Sequence, residues 1–188
     1  MQVTTAYKYI VETDIIQIKP YHMNSDIINN MLKILKNKVE KKCNENGYIE
    51  TAYKIISYSD GEMPPENLNG SANYQLTYDC KIYIPIEDSI LIGLVRIINQ
   101  DLIIAINGPI LIFILKNNID TTIWNILNNY ENINTKQKLA VGDHIKIHIL
   151  DKRVNKNDVQ IKVLGEMLDY ATPEEIETYF INKDDNFL

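Results

Sequence analysis

The chain has 188 residues, of which 45% are hydrophobic, and a formal net charge of −6. A chain of this length buries about 70% of its unfolded surface, enough for one domain or two small ones without metal or disulfide staples. The acidic balance excludes nucleic-acid binding through an overall basic surface, so any such binding must use a local patch. Residues 166–188 carry seven acidic residues against Lys183, so the charges of the remaining chain balance.

Cysteine usage and apolar runs bear on where the protein works. Cys43 and Cys80 lack CxxC spacing, and no N-terminal apolar segment has the pattern of a signal peptide. These features predict a reduced intracellular compartment. The most apolar run, residues 102–115, is interrupted by an Asn-Gly-Pro turn and is too short to cross a bilayer core of about 30 Å.

The first predicted elements are a strand and one amphipathic helix. Residues 10–19 end at Pro20, which biases its predecessor toward extended geometry and cannot join a β-ladder. Asn24 or Ser25 can cap the helix that follows. Its apolar residues share one helical stripe: Ile27, Ile28, Met31, Leu32, Leu35 and Val39. Most lysines of this region lie outside the apolar stripe: Lys33, Lys36, Lys41 and Lys42. We expect these lysines to be solvated, with an acidic partner surface as the alternative.

Two predicted strands separated by a long polar loop come next. Residues 48–57 are rich in β-formers, and residues 74–84 alternate so regularly that they predict a long half-buried strand. Residues 58–70 between them are too long for a tight hairpin, and loops of about 12 residues or more are usually functional or disordered. Because Met63 and Leu68 keep this segment partly apolar, we predict a protruding loop that contacts a partner. A flexible surface hairpin is the alternative.

The sequence after Pro85 consists almost entirely of short predicted strands. They cover residues 90–98, 102–106, 110–115, 139–150 and 159–164. In the fourth of them, Ile145, Ile147 and Ile149 share one face. The long connection, residues 117–138, is rich in asparagine and is predicted to contain a helical turn around Trp124. Five short strands with the only long connection between the third and fourth are typical of an OB-fold barrel.

Several weak motifs occur in a fixed order along both halves of the chain. In the second half, Gly93 is followed after fourteen residues by Gly108-Pro109, then by Val141-Gly142-Asp143 and a closing hairpin. In the first half, Ile16-Gln17-Ile18-Lys19-Pro20 precedes the helix, Gly47-Tyr48-Ile49 follows it, and Gly70 leads into the long strand. This order, over roughly residues 10–168, resembles the larger stalk subunit of archaeal, eukaryotic and large-DNA-virus DNA-dependent RNA polymerases.

The resemblance implies a non-catalytic polymerase subunit of α+β class. An N-terminal ribonucleoprotein-like tip domain, with one helix on a small antiparallel sheet, would cover residues 1–84. A five-stranded OB-fold domain would cover residues 85–165, and an acidic C-terminal extension residues 166–188. The tip loop would dock on the core polymerase subunits, and a smaller stalk subunit would lie along both domains. The implied docking residues are Tyr58, Ser59, Asp60, Gly61, Glu62, Met63, Pro64 and Pro65.

On the same resemblance, the barrel would lie near nascent single-stranded RNA. The basic candidates for weak contact are Arg96, Lys116, Lys146, His148, Lys152, Arg153 and Lys156. A scattered solvated surface is the alternative, since residues 85–165 hold nine basic and eight acidic residues. RNA-gripping OB domains commonly stack bases on two aromatics of the first hairpin, where this chain has Asp101 and Ile104. Because a stacked base is worth about 1 to 3 kcal/mol, RNA contact would be electrostatic and weak.

Motifs for catalysis and metal binding are missing from the sequence. It contains no GxxxxGKS/T, GxGxxG or GxSxG pattern. His144 and His148 would lie about 13 Å apart on a strand, too far to share one metal, and we expect them to face solvent. A calcium loop at residues 151–162 is excluded because basic side chains occupy ligand positions. Cys80 is in phase with the buried face of its strand, which predicts an inert thiol. No cofactor is expected.

Two other classes of protein stay open on the sequence alone. A free-standing OB-fold RNA-binding or translation factor would bind RNA without a polymerase and would not need the loop. A purely structural adaptor would never contact RNA, as Asp101 and Ile104 favour. The acidic tail is either a partner-binding helix around residues 173–180 or a solvated end. The Ile- and Asn-rich composition fits an AT-rich genome such as that of a large DNA virus, with a divergent cellular source as the alternative. The protein would work in the nucleus or, if it is viral, in a cytoplasmic viral factory and the virion.

Overall fold

The computed structural model describes residues 3–65, 68–126 and 130–181, and they form two compact units. The sheet unit comprises Tyr7–Tyr83 together with Lys156–Val159, and the barrel unit comprises Met1–Ala6, Ile84–Asn155 and Gln160–Leu188. The predicted mixture of helix and strand is confirmed, with strands predominating. Among the described residues, no helix is both long and apolar enough to span a membrane.

The sheet unit is a four-stranded antiparallel sheet with one helix. Its elements are β1 (Tyr7–Ile18), a short 3-10 turn (Pro20–His22), α1 (Ile27–Val39), β2 (Lys42–Cys43), β3 (Tyr48–Tyr58) and β4 (Ala72–Tyr83). The strand order is β1-β4-β3-β2. The helix packs on β1 and β3 and buries Met31, Leu35 and Val39 of the predicted apolar stripe. Because these three positions recur at helical spacing, their burial holds the helix on the sheet.

Strand β4 is the predicted long strand, but its last residues are buried on both faces. Leu76, Tyr78, Cys80 and Ile82 are buried as the alternation predicts. Lys81 lies on the face expected to be polar and is also buried, because its Nζ is 2.8 Å from Glu50 Oε2 and 4.5 Å from the Tyr7 ring centroid. Desolvation lowers the pKa of Lys81, but the hydrogen bond and charge of Glu50 outweigh it and leave that pKa raised. The half-buried prediction is therefore wrong at this end.

The barrel unit contains the predicted closed five-stranded barrel. Its elements are β5 (Ile90–Ile98), β6 (Leu102–Asn107), β7 (Ile110–Ile119), β8 (Trp124–Asn125), β9 (Glu131–Asn132), β10 (His144–Arg153), β11 (Ile161–Tyr170) and α2 (Pro173–Ile181). The barrel order is β10-β11-β7-β6-β5, and β5 pairs back with β10 to close it. Strands β11 and β7 are parallel, whereas the other barrel neighbours are antiparallel.

The barrel interior is filled by β-branched side chains next to two glycines. Ile145, Ile147 and Ile149 are fully buried, which confirms their predicted shared face. A Cβ on Gly93 would lie 2.6 Å from Ile147 Cδ1, and a Cβ on Gly165 would lie 2.4 Å from Ile147 Cγ2. An alanine at either position would therefore force Ile147 to move, because its side chain already fills the space that a methyl group would take.

Three barrel strands extend well beyond their predicted ends. Strand β10 continues past residue 150 to Arg153. Strand β7 continues to Ile119, and the connection after it contains the paired strands β8 and β9. Part of the predicted helical turn falls on residues 127–129, which lie outside the described residues. Strand β11 continues to Tyr170, so Glu166 and Asp169 of the acidic segment belong to a barrel strand.

Helix α2 begins with a reciprocal capping box. The Thr172 N–H donates to Glu175 Oε2 at 2.8 Å, and the Glu175 N–H donates to Thr172 Oγ1 at 3.2 Å. Pro173 occupies the first helical position, where its missing N–H removes no intrahelical bond. The Thr-Pro-Glu-Glu pattern is therefore a local signal that starts the helix at this point.

The acidic tail contains a helix at the position that one of the two sequence-based alternatives gave it, and this helix packs on the barrel. Tyr179 clusters with Ile92 and Ala171. The buried Asn107 amide donates to Tyr179 Oη at 2.6 Å and to the Ile92 carbonyl oxygen at 2.7 Å. The apolar side of this helix is thus used within the barrel unit. Residues 182–188 lie outside the described residues.

We expect the capping box to make the stability of the barrel unit depend on pH in the acid range. The hydrogen bond from the Thr172 N–H, assisted by the charge of Lys146, lowers the pKa of Glu175 from its ordinary value of 4.5. The folded chain therefore binds this proton less readily than the unfolded chain. The resulting stabilisation is fully present above pH 4.5 and is lost as the pH falls through the lowered pKa.

The variant Glu175→Gln should lose this part of the pH dependence in urea unfolding followed by Trp124 fluorescence between about pH 6 and 3. The neighbouring variant Glu174→Gln is the matched control and should keep the wild-type profile. A Glu175→Gln profile that coincides with the wild type would contradict the assignment.

Candidate functional site

The predicted docking loop is shorter than its sequence suggests. The Ser59 N–H donates to the Gln75 carbonyl oxygen at 2.9 Å, and Glu62 and Asn73 exchange two backbone hydrogen bonds of 3.0 and 2.8 Å. Pairing between the two sides therefore continues past the end of β3. The open part begins at Met63, because the residues before it still satisfy their backbone groups across the ladder. Within the loop, residues 66 and 67 lie outside the described residues.

The base of the loop is packed closely. A Cβ on Gly61 would lie 2.6 Å from Tyr74 Cζ, so the Tyr74 ring rests against the backbone there. The Gln75 N–H donates to Ser59 Oγ at 3.0 Å, which adds a side-chain bond to the ladder. Gly70 has φ of +67° and closes the loop in a conformation that favours glycine. These contacts hold the two ends of the loop in place.

Apolar side chains are exposed at the loop. Met63 is 66% exposed, Leu68 is 97% exposed, and Tyr58 is about half exposed at the end of β3. The other predicted docking residues are the exposed Ser59, Asp60, Gly61, Glu62 and Pro65 and the partly buried Pro64. The loop thus presents apolar side chains flanked by two carboxylates. A grouping of exposed apolar residues with a polar rim is typical of a protein interaction site.

The strand register divides the predicted RNA-binding residues between the two ends of the barrel. Arg153 lies opposite Lys162 at the end of β10, where β11 begins. Arg96 lies near the end of β5 and Lys116 toward the end of β7. Because β5 is antiparallel to β10 and β7 is parallel to β11, these two residues lie at the opposite end from Arg153. No single surface of the barrel therefore collects the whole predicted set.

Two predicted lysines lie near carboxylates. Lys146 Nζ is 3.4 Å from Glu175 Oε1 of helix α2. Lys156 belongs to the sheet unit, where its Nζ is 3.6 Å from Glu45 Oε1 and both side chains are well exposed. Pairing with a carboxylate reduces the net positive charge that each lysine offers to a phosphate.

The expectation that His148 faces solvent is wrong. Its side chain is 15% exposed, with Nδ1 3.4 Å from Glu166 Oε2 and Nε2 3.7 Å from Asp88 Oδ1. The His144 ring packs edge-on against Phe180 of α2 at 5.8 Å between centroids. Within the described ranges, no group of three or more His, Cys, Asp or Glu side chains is arranged to hold a metal ion.

A depression of about 310 Å³ at the Arg153 end of the barrel brings basic side chains together with one aromatic. This basic depression is lined by Phe113, Asp151, Lys152, Arg153, Lys162, Val163 and Leu164. Arg153 and Lys162 are exposed, and Lys152 Nζ donates to the Pro85 carbonyl oxygen at 3.0 Å. Phe113 and Lys162 are additions to the sequence-based set. The pairing of β11 with β10 and β7 brings these two residues beside Lys152 and Arg153, and no local sequence pattern specifies that pairing.

The first barrel hairpin offers no stacking aromatic at the two positions named from the sequence. Asp101 is exposed in the turn after β5, and Ile104 is partly buried on β6. Tyr130 is close to this turn, but it is buried, with its hydroxyl 2.8 Å from the carbonyl oxygens of Asn99 and Gln100. The Tyr130 ring thus supports the turn.

Both cysteines are buried. Burial raises the pKa of the Cys80 thiol to about 12, and burial together with the charge of Asp158 raises that of Cys43 to about 11. The predicted core position of Cys80 is confirmed. Since the thiolate is the reactive form, neither sulfur is activated at neutral pH.

Comparison with known proteins places the chain beside one viral relative. It is 33% identical over 167 residues to a protein of Acanthamoeba polyphaga mimivirus named as a DNA-directed RNA polymerase subunit. The match covers 88% of this chain and 84% of that protein, so it includes residues of both units. No protein-family model matches the chain.

Proposed function

The chain belongs to the family of DNA-directed RNA polymerase subunits that includes the mimivirus protein, and from this premise we propose that it is a non-catalytic stalk subunit of a multisubunit polymerase. The observation that carries the proposal is a match to a polymerase subunit that spans both compact units. The barrel supports it, because a first strand that pairs with the second and fourth, and a third strand parallel to the fifth, are typical of an OB-fold.

The proposed docking element is the loop that starts at Met63. Its base is held by the β3–β4 ladder and by the Tyr74 ring, so the loop can transmit force to the sheet unit. Its exposed Met63 and Leu68 side chains would enter an apolar cleft of the core enzyme, and Asp60 and Glu62 would face basic residues at the rim. Docked in this way, the subunit would bias the position of the polymerase clamp. A smaller stalk subunit is a further proposed partner.

Affinity purification of the tagged full-length protein, followed by mass spectrometry, tests the proposal. We expect the largest polymerase subunits to be recovered with it in stoichiometric amounts. Recovery of RNA and translation factors without those subunits would contradict the stalk assignment and favour a free-standing RNA-binding protein.

The second part of the proposal is weak contact between nascent single-stranded RNA and the basic depression. Lys152, Arg153 and Lys162 would neutralise phosphates, and Phe113 is near enough to support a base or sugar. Asp151 lowers the net charge of the same surface. Because few phosphates are contacted, this affinity would be low and would fall only modestly as the salt concentration rises.

RNA titrations at several salt concentrations should show this contact. Three phosphate contacts predict a log-log slope of about −2. The variant Lys152→Glu/Arg153→Glu should flatten the slope, whereas Arg96→Glu/Lys116→Glu, at the other end of the barrel, should change it less. Absence of binding at low salt, or a slope near zero, would remove the RNA role and leave a purely structural adaptor.

A further inference from the structure

One edge of the sheet unit is long and regular, and no strand of the described residues pairs with it. Strand β1 is the terminal strand of the order β1-β4-β3-β2, and within the described ranges β4 is the strand paired with it. That pairing is antiparallel without a bulge, from Tyr7 opposite Tyr83 to Ile18 opposite Ala72. No proline interrupts β1. Bulges and prolines are among the devices that protect free sheet edges from other chains, and this edge has neither.

At the opposite edge of the same sheet, the two-residue strand β2 is covered by another segment of the chain. The Cys43 N–H of β2 donates to the Asp158 carbonyl oxygen at 2.8 Å, and the Asn157 N–H donates to the Cys43 carbonyl oxygen at 2.8 Å. These residues belong to the segment Lys156–Val159, which is part of the sheet unit. The backbone groups of Cys43 are thus bonded within the chain, whereas no strand of the described ranges pairs with the outer edge of β1.

The contacts of Ile15 show which backbone groups of β1 point away from β4. Its N–H is bonded to Asp14 Oδ1 at 2.7 Å, and its carbonyl oxygen accepts from Lys38 Nζ at 2.6 Å. Both groups therefore face the open edge. Because backbone direction alternates along a strand, the N–H and carbonyl groups of Val11 and Thr13 face the same way. Lys38 covers the edge at Ile15, so Val11 and Thr13 form its accessible part.

The side chains along this edge set the chemistry of what can pair with it. Val11 and Ile15 are each 56% exposed and lie on the same face of β1. On the other face, Asp14 pairs with Lys38 at 2.8 Å, whereas Glu12 accepts a hydrogen bond from Asn46 and, among the described residues, has no ion-pair partner. Glu12, Thr13 and Asp14 also line a crevice of about 280 Å³. An added strand would therefore meet an apolar residue on one face and a carboxylate on the other.

We propose that the open edge of β1 receives an extended segment of a second polypeptide, which adds a fifth strand to the sheet unit beside Val11 and Thr13. The segment would carry an apolar residue next to Val11 and a lysine or arginine opposite Glu12. Backbone hydrogen bonds supply the affinity in such strand addition, and the alternating side chains supply the specificity. This interaction is separate from the loop contact and goes beyond the proposed function.

Hydrogen exchange resolved to single residues tests this proposal on the full-length protein. The complex purified from the cells that make it is compared with the free chain at the same concentration. The Val11 and Thr13 amides should exchange at least about tenfold more slowly in the complex. The Ile10 and Glu12 amides point toward β4 and should be protected in both samples.

The variant Val11→Pro removes one outward N–H and should lower retention of the bound polypeptide by about tenfold or more. Gln17→Pro is the matched control, because it lies on the same edge beyond Lys38 and should retain the partner. Equal exchange at Val11 and Thr13 in both samples, or purification of the chain without any partner, would overturn the proposal.

Two further outcomes show which polypeptide pairs with the edge of β1. Protection of Val11 in a dimer of the free chain would show that a second copy covers the edge of β1. That result would also overturn the proposal. Protection in a complex that lacks polymerase subunits would support strand addition while rejecting the stalk assignment.

Discussion

Replacing Met63 and Leu68 together with aspartate should reduce recovery of the core polymerase subunits by about tenfold or more. Full burial of an apolar side chain of this size stabilises a complex by about 1.5 to 3 kcal/mol, and a tenfold change in affinity corresponds to about 1.4 kcal/mol. The double variant also places two carboxylates in an apolar cleft, which costs further free energy. Both side chains are largely exposed in the free chain, so its own stability should change little.

The control is Val141→Asp, which places one such carboxylate at an apolar residue that is 62% exposed in the barrel unit. It should be recovered with the polymerase as well as the wild type is. Quantitative mass spectrometry of the purified complexes provides the measurement. If Met63→Asp/Leu68→Asp is retained as well as Val141→Asp, the loop is not the docking element, whatever the identity of the complex.

The second large effect is expected inside the barrel, at the two glycines that face Ile147. Gly93→Ala and Gly165→Ala should each lower the free energy of unfolding by about 1 to 3 kcal/mol, because each added methyl overlaps an Ile147 carbon. Gly165→Ala should cost more. Its new Cβ meets Cγ2, which is bonded directly to the Ile147 Cβ, and lies 3.3 Å from the His148 carbonyl oxygen.

The variant Ile147→Val separates these two overlaps. It removes Cδ1 and keeps Cγ2, so it should relieve Gly93→Ala but leave the cost of Gly165→Ala unchanged. Urea unfolding followed by Trp124 fluorescence measures the coupling, since Trp124 is buried in the barrel unit and its Nε1 donates to the Leu168 carbonyl oxygen at 2.8 Å. Equal relief of both glycine variants would contradict the assignment of the two overlaps to different Ile147 carbons, and relief of neither would show that the contacts with Ile147 do not decide their stability.

Local sequence patterns predicted much of the secondary structure because they report short-range physics. The helix stripe of Met31, Leu35 and Val39 and the alternation of Ile145, Ile147 and Ile149 follow directly from helical and strand periodicity. Their burial confirms these predictions. Strand ends were predicted less well, since the extension of β7 to Ile119 and of β11 to Tyr170 depends on neighbouring strands that continue alongside.

The candidate sites depended more on pairing between distant segments. The basic residues appear as one set in the sequence, but the antiparallel and parallel registers send Arg96 and Arg153 to opposite ends of the barrel. Register also adds Lys162 and Phe113 to the basic depression. A strand shows which of its residues share a face, yet it does not show which residue of another strand will lie beside it.

By itself, the sequence determined the positions of the main helix and strands, the acidity of the C-terminal segment and the apolar character of the loop between β3 and β4, because periodicity, charge and turn residues act over a few neighbouring positions. The tertiary structure alone decided that Lys81 is buried and the His148 side chain mostly shielded from solvent, that Gly93 and Gly165 make room for Ile147, and that β1 is left with an open edge. Burial and edge status depend on what packs beside a residue, and those neighbours come from segments distant in the chain.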